Sequence, residues 1–312
     1  MNQIWNKTNY KSWIITLVIV QVLGYISINY FGDYGWTVFF LIPIILGFLP
    51  PFISGRKIKI SKTDAYNLSF LAFIFASLLL LIFAIEGLIC LLMASPLLLL
   101  AGWIGSYFGY RLSGTKKLNP TNLTIIILIL SFGFLGFDTI NKPEKLIPVT
   151  TKVKVNAPIE DVWKNVITFD TIKEPESWIF KTGISYPTNA TIEGTGVGAI
   201  RYCNFTTGSF VEPITTWNEP NLLQFDVKEQ PIPMNEINPF WDIHPPHLDG
   251  YFKSYKGQFK LTKEKDNVTI LEGTTWYKND IYPEFYWKLW SDYIVHNIHN
   301  RVLEHIRKES EN

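Results

Sequence analysis

The stretch VKVNAPIEDVW, residues 153–163, places the end of a strand and the start of a helix within eleven positions. Apolar and polar residues alternate from Val149 to Val155, a run that begins before this stretch and ends within it. The alternation predicts a half-buried strand. The following run, Asn156-Ala157-Pro158-Ile159-Glu160-Asp161, supplies a capping residue, a first-turn proline and acids at the positive end of a helix. The buried face of that helix is predicted from apolar residues at helical spacing: Val162, Trp163, Val166 and Ile167.

Downstream, the sequence predicts a second short helical stretch near 170–178 and then a series of strands. The strand-like runs are 183–187, 197–206, 209–217, 221–229, 251–262 and 267–277. Because short turns separate several neighbours, the strands are expected to pair antiparallel, as a meander. The glycine-rich run at 194–198 lacks the strand-to-helix context and the downstream acid of a dinucleotide site, so a hairpin turn is favoured there.

The last predicted element is a long helix over 282–309, which opens at Tyr282-Pro283-Glu284. In a helical projection, its apolar face centres on Ile294. The side chains within about 40° of that centre are those of Trp287, Trp290, Ile298, Arg301 and His305. A face of this width needs a large partner, and the predicted sheet is the one that the chain offers.

The order of strand, two short helices, six-stranded meander and long helix resembles the helix-grip fold of the START-like, or SRPBCC, superfamily. The residues that carry the resemblance are 153–163, Gly257-Gln258-Phe259-Lys260-Leu261 and the run Thr269 to Tyr277. It covers about 148–309. The superfamily includes lipid-transfer domains, polyketide cyclases and plant allergen-type ligand carriers. The resemblance implies a curved antiparallel sheet, crossed by the long helix, with a hydrophobic cavity between them. More narrowly, the chain is similar to bacterial membrane-anchored proteins of this superfamily.

The N-terminal part of the chain is built from long apolar runs. About 20 apolar residues are needed to cross the hydrocarbon of a bilayer, and five segments are candidates: 13–31, 37–54, 68–85, 88–110 and 121–138. The sequence therefore predicts an all-α transmembrane bundle over 1–140, a linker over 141–147 and an α+β helix-grip domain over 148–312.

Charge is distributed unevenly between these parts. Residues 1–147 contain eleven Lys/Arg and five Asp/Glu, which gives a net charge of +6 (11 − 5). Residues 148–312 contain seventeen Lys/Arg and twenty-two Asp/Glu, which gives a net charge of −5 (17 − 22). Lys and Arg lie before the first span and in the loops after the second and fourth, whereas 32–36 and 86–87 have none. The positive-inside rule then predicts a cytoplasmic N-terminus and, after five crossings, an extracytoplasmic C-terminal domain of a multi-pass cell-membrane protein. If the short fifth segment does not cross, the domain returns to the cytoplasm.

Composition also excludes some partners and cofactors. The acidic C-terminal half has no basic cluster interleaved with aromatics, so nucleic acid is not an expected partner. The heptad WDIHPPH, residues 241–247, suggests a metal site, but the two prolines keep its histidines off a common helix face. Further zinc ligands would have to come from more distant residues: Asp242, Cys203, His296 and His299. We therefore expect no metal and no cofactor, and we interpret the heptad as a rigid lid over the pocket.

The candidate ligand-contacting residues are those that the strands, the lid or the long helix could aim into the cavity. They are Arg201, Trp241, Tyr251, Tyr255, Phe259, Glu272, Trp276, Trp290, Ile294, Arg301 and His305. Arg201 shares a strand face with Cys203, and Glu212 lies on the next strand. A few polar groups among aromatics can orient an amphiphile or tune a catalytic pKa. No Ser-His-Asp or Cys-His arrangement is recognisable in the sequence, so no catalytic residue is assigned.

Three classes of function are consistent with these features. The first is a membrane-anchored protein that binds a lipid or another hydrophobic small molecule without covalent chemistry. The second is a cyclase- or hydrolase-type enzyme that uses Arg201, Glu272 and His305 in the same cavity. The third is a protein-interaction or sensory module that the spans hold at the membrane.

Overall fold

The computed structural model describes residues 6–31, 34–115, 120–140 and 145–312. The chain divides into two compact units. The helical unit comprises Met1–Pro143, Glu236–Pro245 and Ile281–Pro283, and the sheet unit comprises Glu144–Asn235, Pro246–Asp280 and Glu284–Asn312. Two short segments from the C-terminal half of the sequence therefore belong to the helical unit.

Within its described residues, the helical unit contains five α-helices: α1 Lys7–Phe31, α2 Ile42–Gly55, α3 Lys62–Ile82, α4 Leu88–Ser113 and α5 Pro120–Ile140. A π-helical turn, Thr37–Leu41, leads into α2. Among the described residues, four helices are long and apolar enough to cross a membrane: α1, α2 with its π turn, α3 and α4. The fifth span, at α5, stays a prediction.

Helix α3 begins six residues earlier than the apolar segment from which its span was predicted. Ser61 caps it, because the Ser61 side chain accepts a hydrogen bond from the backbone N–H of Asp64, and the Asp64 side chain accepts one from Ser61. A span predicted from hydropathy alone omits this polar first turn.

Glycines allow α2 and α4 to approach closely. A Cβ atom at Gly47 would lie 2.0 Å from the carbonyl oxygen of Gly102, and one at Gly105 would lie 2.2 Å from the carbonyl oxygen of Ile44. Small residues at such contacts are the usual means by which apolar helices pack backbone against backbone.

The sheet unit is a seven-stranded antiparallel sheet with one long helix. Its strands are β1 Ile147–Val155, β2 Pro187–Glu193, β3 Ile200–Phe205, β4 Gly208–Asn218, β5 Leu222–Asp226, β6 Phe252–Lys265 and β7 Val268–Asn279. Its helices are α6 Ile159–Ile167, the 3₁₀ turns Trp178–Thr182 and Pro246–Leu248, and α7 Glu284–Glu311. The strand order β1-β7-β6-β5-β4-β3-β2 is a continuous meander onto which the first strand closes. The α+β helix-grip fold with a curled sheet and a long C-terminal helix is confirmed.

Two local predictions were wrong. The second helix near 170–178 is absent, and only a 3₁₀ turn, Trp178–Thr182, follows. Pro175 cannot donate a helical hydrogen bond, and Ile172 donates instead to the backbone of Thr188. The strand predicted at 183–187 lies at Pro187–Glu193, because Gly183 adopts a left-handed conformation that ends the 3₁₀ turn.

The buried face of α7 was also predicted at the wrong angle. Its buried residues are Trp287, Ser291, Val295, His299, Val302, Leu303 and Ile306. The face therefore centres near Val295 and His299, about 100° from Ile294 at 100° per residue. The error arises because two polar side chains share this face and bond to strand β7. Ser291 accepts from Asn279 at 2.9 Å, and His299 contacts Thr275 at 2.8 Å.

Candidate ligand-binding site

A cavity of about 120 Å³ lies within the sheet unit, between strands β3 to β7 and helix α7. Its wall is mainly aromatic and aliphatic, with contributions from Phe205, Phe210, Phe225, Phe259, Val302 and Leu303. The polar side chains in the wall include Arg201, Glu212 and His299. The cavity that the resemblance implied is therefore present in this position.

The volume limits what the cavity can enclose. An apolar cavity of about 150 Å³ is known to hold benzene, whereas pockets for drug-sized ligands measure about 300–1,000 Å³. At about 120 Å³, this cavity has room for one small ring. It cannot enclose a two-chain lipid in this conformation.

A buried ion pair forms the polar part of the wall. Arg201 and Glu212 face each other in the β3–β4 register, and their exposed fractions are 1% and 5%. Arg201 Nη1 donates to Glu212 Oε2, and Arg201 Nε donates to the carbonyl oxygen of Ile167 at 3.2 Å. Arg201 Nη2 is buried and has no hydrogen-bond partner among the described residues.

Three aromatic rings surround the same guanidinium. The Arg201 Cζ atom lies 5.6 Å from the ring centroids of Phe169 and Phe225 and 5.4 Å from that of Phe259. These distances are within the range for cation–π attraction, which is strongest where water is excluded. Two of these rings, Phe225 and Phe259, also line the cavity.

Burial governs the protonation of the polar groups. Burial raises the pKa of Glu212, and the neighbouring Arg201 offsets this only in part. For Arg201, burial acts to lower the pKa, but Glu212 and Cys203 outweigh it and the net shift is upward. Burial together with Glu212 raises the pKa of the Cys203 thiol to about 12. Cys203 is therefore an uncharged thiol at neutral pH and is not set up as a nucleophile.

His299 lines the cavity, although it lies outside the helix face that was predicted to be buried. Its Nδ1 lies 3.1 Å from Thr151 Oγ1, and its Nε2 lies 2.8 Å from Thr275 Oγ1. Burial, with a smaller contribution from His296, lowers the pKa of His299 to about 4. At neutral pH it is a neutral ring, with one nitrogen donating and the other accepting.

Of the predicted ligand contacts, Arg201 and Phe259 line the cavity. Glu272 does not, because its neighbours Leu271 and Gly273 face the core and successive strand residues face opposite sides. Its Oε1 atom forms an ion pair with Lys152 at 2.8 Å. Trp276 lies beneath Lys256, whose Nζ is 4.7 Å from the ring centroid.

The other predicted residues of the sheet unit also lie outside the cavity wall. Tyr251 accepts a backbone hydrogen bond from Asp280 at 2.7 Å, and Lys253 covers the half-exposed ring of Tyr255. On α7, Trp290 and Ile294 are half-buried. These four side chains are not part of the polar cluster around Arg201.

Arg301 and His305 hold α7 to the start of β2 and to the segment before it. Arg301 Nε donates to the carbonyl oxygen of Pro187 at 2.8 Å, and its guanidinium lies over the ring of Tyr186. His305 meets the ring of Phe169 edge to face at 5.8 Å. Burial lowers the pKa of His305. Their observed contacts are structural.

Trp241 belongs to the helical unit. Its Nε1 donates to the carbonyl oxygen of Ile82 at 2.8 Å, and the Asn238 side chain donates to the carbonyl oxygen of Leu81 at 3.0 Å. The segment that was predicted as a lid therefore caps the C-terminal end of α3. These contacts give no support to a role of Trp241 in ligand binding.

No family model and no curated protein sequence matches the chain. Solved structures similar to it include a norcoclaurine synthase point mutant from Thalictrum flavum in complex with a transition-state analogue. That match has a TM-score of 0.33 and 13% identity, and it covers 53% of this chain and 96% of that one. A protein from Nitrosospira multiformis has a TM-score of 0.32 and 19% identity, with coverage of 53% and 96%. An uncharacterised protein from Bacillus thuringiensis has a TM-score of 0.34 and 14% identity, with coverage of 53% and 100%. TM-scores and sequence identities this low assign neither a family nor an activity to the chain.

Proposed function

We propose that the chain is a membrane-anchored, START-like protein whose sheet unit binds a small, neutral, mainly apolar molecule. Binding is non-covalent and takes place in the cavity between the sheet and α7. One observation carries this proposal: a largely apolar cavity contains a buried guanidinium, that of Arg201, with an N–H group that has no partner among the described residues.

The unused N–H group indicates the polar group of the ligand. A buried donor without a partner costs about 1–3 kcal/mol, and a carbonyl or ether oxygen on the ligand recovers this energy. Glu212 already balances the charge of Arg201. A ligand carboxylate would bring a second negative charge into the same apolar site, and this charge would be costly to bury. The favoured ligand is therefore a neutral hydrogen-bond acceptor.

The cavity volume indicates the size of the ligand. The cavity of about 120 Å³ is somewhat smaller than the apolar cavity of about 150 Å³ that holds benzene, so the enclosed part of the bound molecule is no larger than about one ring. This narrows the lipid hypothesis to ligands that insert one ring or one short chain. The helical unit supplies the anchor, since four of its helices are long and apolar enough to cross a membrane.

Two probes that differ in one group test the proposal. Acetophenone carries a carbonyl oxygen beside its ring, and ethylbenzene has nearly the same size and shape but no acceptor. Binding to the purified full chain in detergent is measured by equilibrium dialysis and calorimetry. We expect acetophenone to bind about tenfold more tightly than ethylbenzene, because only acetophenone accepts a hydrogen bond from Arg201.

Two substitutions locate the binding. Val302→Phe places a ring inside the cavity, and it should weaken both probes at least about tenfold by removing the free volume. Its matched control is Val197→Phe, because Val197 lies in the β2–β3 turn with 68% of its surface exposed. Replacing both Arg201→Met and Glu212→Leu should leave ethylbenzene binding intact and abolish the preference for acetophenone. The proposal fails if neither probe binds, or if Val302→Phe binds both as the parent protein does.

The enzyme hypothesis has less support. It needs Arg201, Glu272 and His305 in one site, but Glu272 is on the other face of the sheet and His305 packs against Phe169. No contact among the described residues favours the protein-interaction hypothesis over ligand binding.

A further inference from the structure

A second group of chemically reactive side chains lies in the helical unit, at the connection between α3 and α4. Glu86 follows α3, Cys90 is the third residue of α4, and Glu236 comes from the segment Glu236–Pro245 of the same unit. A carboxylate oxygen from each glutamate and the Cys90 Sγ all lie within 4.8 Å of one another. Such convergence of residues 146 positions apart is a property of the fold and cannot be read from the sequence.

The backbone around these side chains fixes their positions. Glu236 Oε1 accepts a hydrogen bond from the backbone N–H of Cys90 at 3.2 Å, and the backbone N–H of Leu88 donates to Ile237 at 2.8 Å. Tyr34 donates its hydroxyl proton to Glu86 Oε1 at 3.1 Å. Three separate parts of the unit therefore hold the two glutamates in place.

Gly87 leaves space for one of the carboxylates. A Cβ atom at this position would lie 1.9 Å from Glu236 Oε2 and 2.6 Å from its carboxyl carbon. Only a residue without a side chain allows Glu236 to approach the start of α4 this closely. The position of Glu236 thus depends on a specific feature of the chain.

Charge and burial make this group a natural cation site. Glu86 and Glu236 are each only 9% exposed. Two carboxylates held this close repel each other, and a divalent cation between them removes that repulsion. We propose that Glu86, Cys90 and Glu236 bind a zinc ion, with these three residues as at least three of its protein ligands.

The mixed donor set decides between metals. Calcium and magnesium prefer oxygen ligands alone, whereas zinc accepts thiolate and carboxylate together. Ligand atoms at zinc-bonding distances in a tetrahedron are about 3.3–3.8 Å apart, so side-chain movements of about 1 Å close the site. On binding, the Cys90 thiol releases its proton to solvent and the sulfur forms the bond to zinc. No change of oxidation state is involved.

This proposal departs from the expectation that the chain holds no metal. It is also independent of the cavity in the sheet unit, so either proposal can fail without the other.

Zinc content of the full chain tests the site. The protein is purified in detergent, stripped with a chelator, dialysed against zinc and then against metal-free buffer, and its metal is measured by mass spectrometry. We expect about one zinc per chain. Cys90→Ala removes the sulfur and keeps the backbone N–H that Glu236 caps, so it should weaken zinc binding at least about tenfold while the fold is retained. Cys203→Ala, at the other cysteine of the chain, is the matched control and should leave zinc content unchanged.

Two further variants separate metal binding from helix capping. Glu236→Gln keeps an oxygen that can accept from Cys90 N–H but loses the charge, so it should lose zinc with little change in melting temperature. Gly87→Ala should displace Glu236 and lower zinc affinity without altering any ligand. Cobalt substitution adds a direct readout, because a thiolate ligand gives a charge-transfer absorption band that must vanish in Cys90→Ala. Failure of the parent protein to retain zinc, or equal retention by Cys90→Ala, would overturn the proposal.

Discussion

His299 shows how one buried residue couples folding to pH. It is neutral in the folded protein, where burial lowers its pKa to about 4 from an ordinary value of 6.5. Between these two values the unfolded chain binds more protons than the folded one, so stability is lost as the pH falls. The contribution is complete above about pH 6.5, and about 3 kcal/mol of stability has been lost when the pH has dropped to 4.

We therefore expect amide exchange in β1 and β7 to quicken as the pH is lowered from 7 to 4.5, after correction for intrinsic exchange rates. Those strands carry the two hydrogen-bonding partners of the ring, Thr151 and Thr275. His299→Gln cannot gain a proton in this range and should flatten the dependence. The exposed His244→Gln is the control and should keep the slope. An unchanged slope in His299→Gln would show that another group is responsible.

The Arg201–Glu212 pair leads to a prediction about non-additivity. Arg201→Met alone leaves the carboxylate of Glu212 buried beside apolar rings, which should lower the free energy of unfolding of the sheet unit by about 3–5 kcal/mol. The double change Arg201→Met and Glu212→Leu removes both charges and should recover most of that loss. Hydrogen exchange of the β3 and β4 amides measures the free energy of unfolding of the single and of the double variant. Glu212→Leu is measured as the second single change. If the loss in the double variant equals the sum of the losses from Arg201→Met and Glu212→Leu, the pair is not coupled.

Some of these buried polar residues could be predicted from the sequence, and others could not. The facing positions of Arg201 and Glu212 follow from strand alternation, and both were expected to point inward. His299 could not be assigned in the same way, because a projection based on apolar residues treats a buried histidine as exposed. Its two threonine partners lie on strands more than a hundred residues apart in the chain, so no local pattern reveals them.

At the scale of elements, one glycine shows how closely two strands pack. Gly257 on β6 pairs with Phe225 on β5, and a Cβ atom at position 257 would lie 2.6 Å from the phenylalanine ring. Gly257→Ala should therefore destabilise the sheet unit by about 1–3 kcal/mol through overpacking. The neighbouring Gly273→Ala is the matched control, because its Cβ atom would meet Leu303 at an ordinary 3.4 Å.

A compensating change tests the cause. Phe225→Leu shortens the ring side chain, so adding it to Gly257→Ala should restore part of the lost stability even though Phe225→Leu is itself destabilising. Thermal melting followed by near-ultraviolet circular dichroism gives the comparison. If the double variant is no more stable than expected from adding the two losses, the steric explanation is wrong.

The elements that could be predicted are those with strong local signals. The strand and helix of 147–167, the meander and the closing helix each follow from alternation, turn residues or helical spacing. The missing helix near 170–178 was a stretch of mixed polarity around Pro175, where local propensity is weak. Strand β2 was misplaced because nothing local marks Pro187 as its start; its position is fixed by pairing with β3.

At the scale of the whole molecule, composition separated an apolar part from an alternating part. It could not show that Glu236–Pro245 belongs to the helical unit. The hydrogen bonds responsible join Leu81 and Ile82 to Asn238 and Trp241, more than 150 positions away. In the sequence, this segment is an unusually long connection between two strands. The two prolines of the heptad and its place between two strands suggested a rigid lid, whereas the contacts show a cap on a helix end.

The orientation of the chain in the membrane depends on whether α5 crosses it. With 21 residues at 1.5 Å each, α5 is about 31 Å long, which matches the hydrocarbon thickness. The basic loops before α1, between α2 and α3 and between α4 and α5 favour a cytoplasmic N-terminus. We therefore predict that alkaline phosphatase is inactive when fused after Thr115 and active when fused after Asn312. Fluorescent-protein fusions at the same two positions should show the opposite pattern. Inactive phosphatase at both positions would mean that α5 does not cross, and the sheet unit would then lie in the cytoplasm.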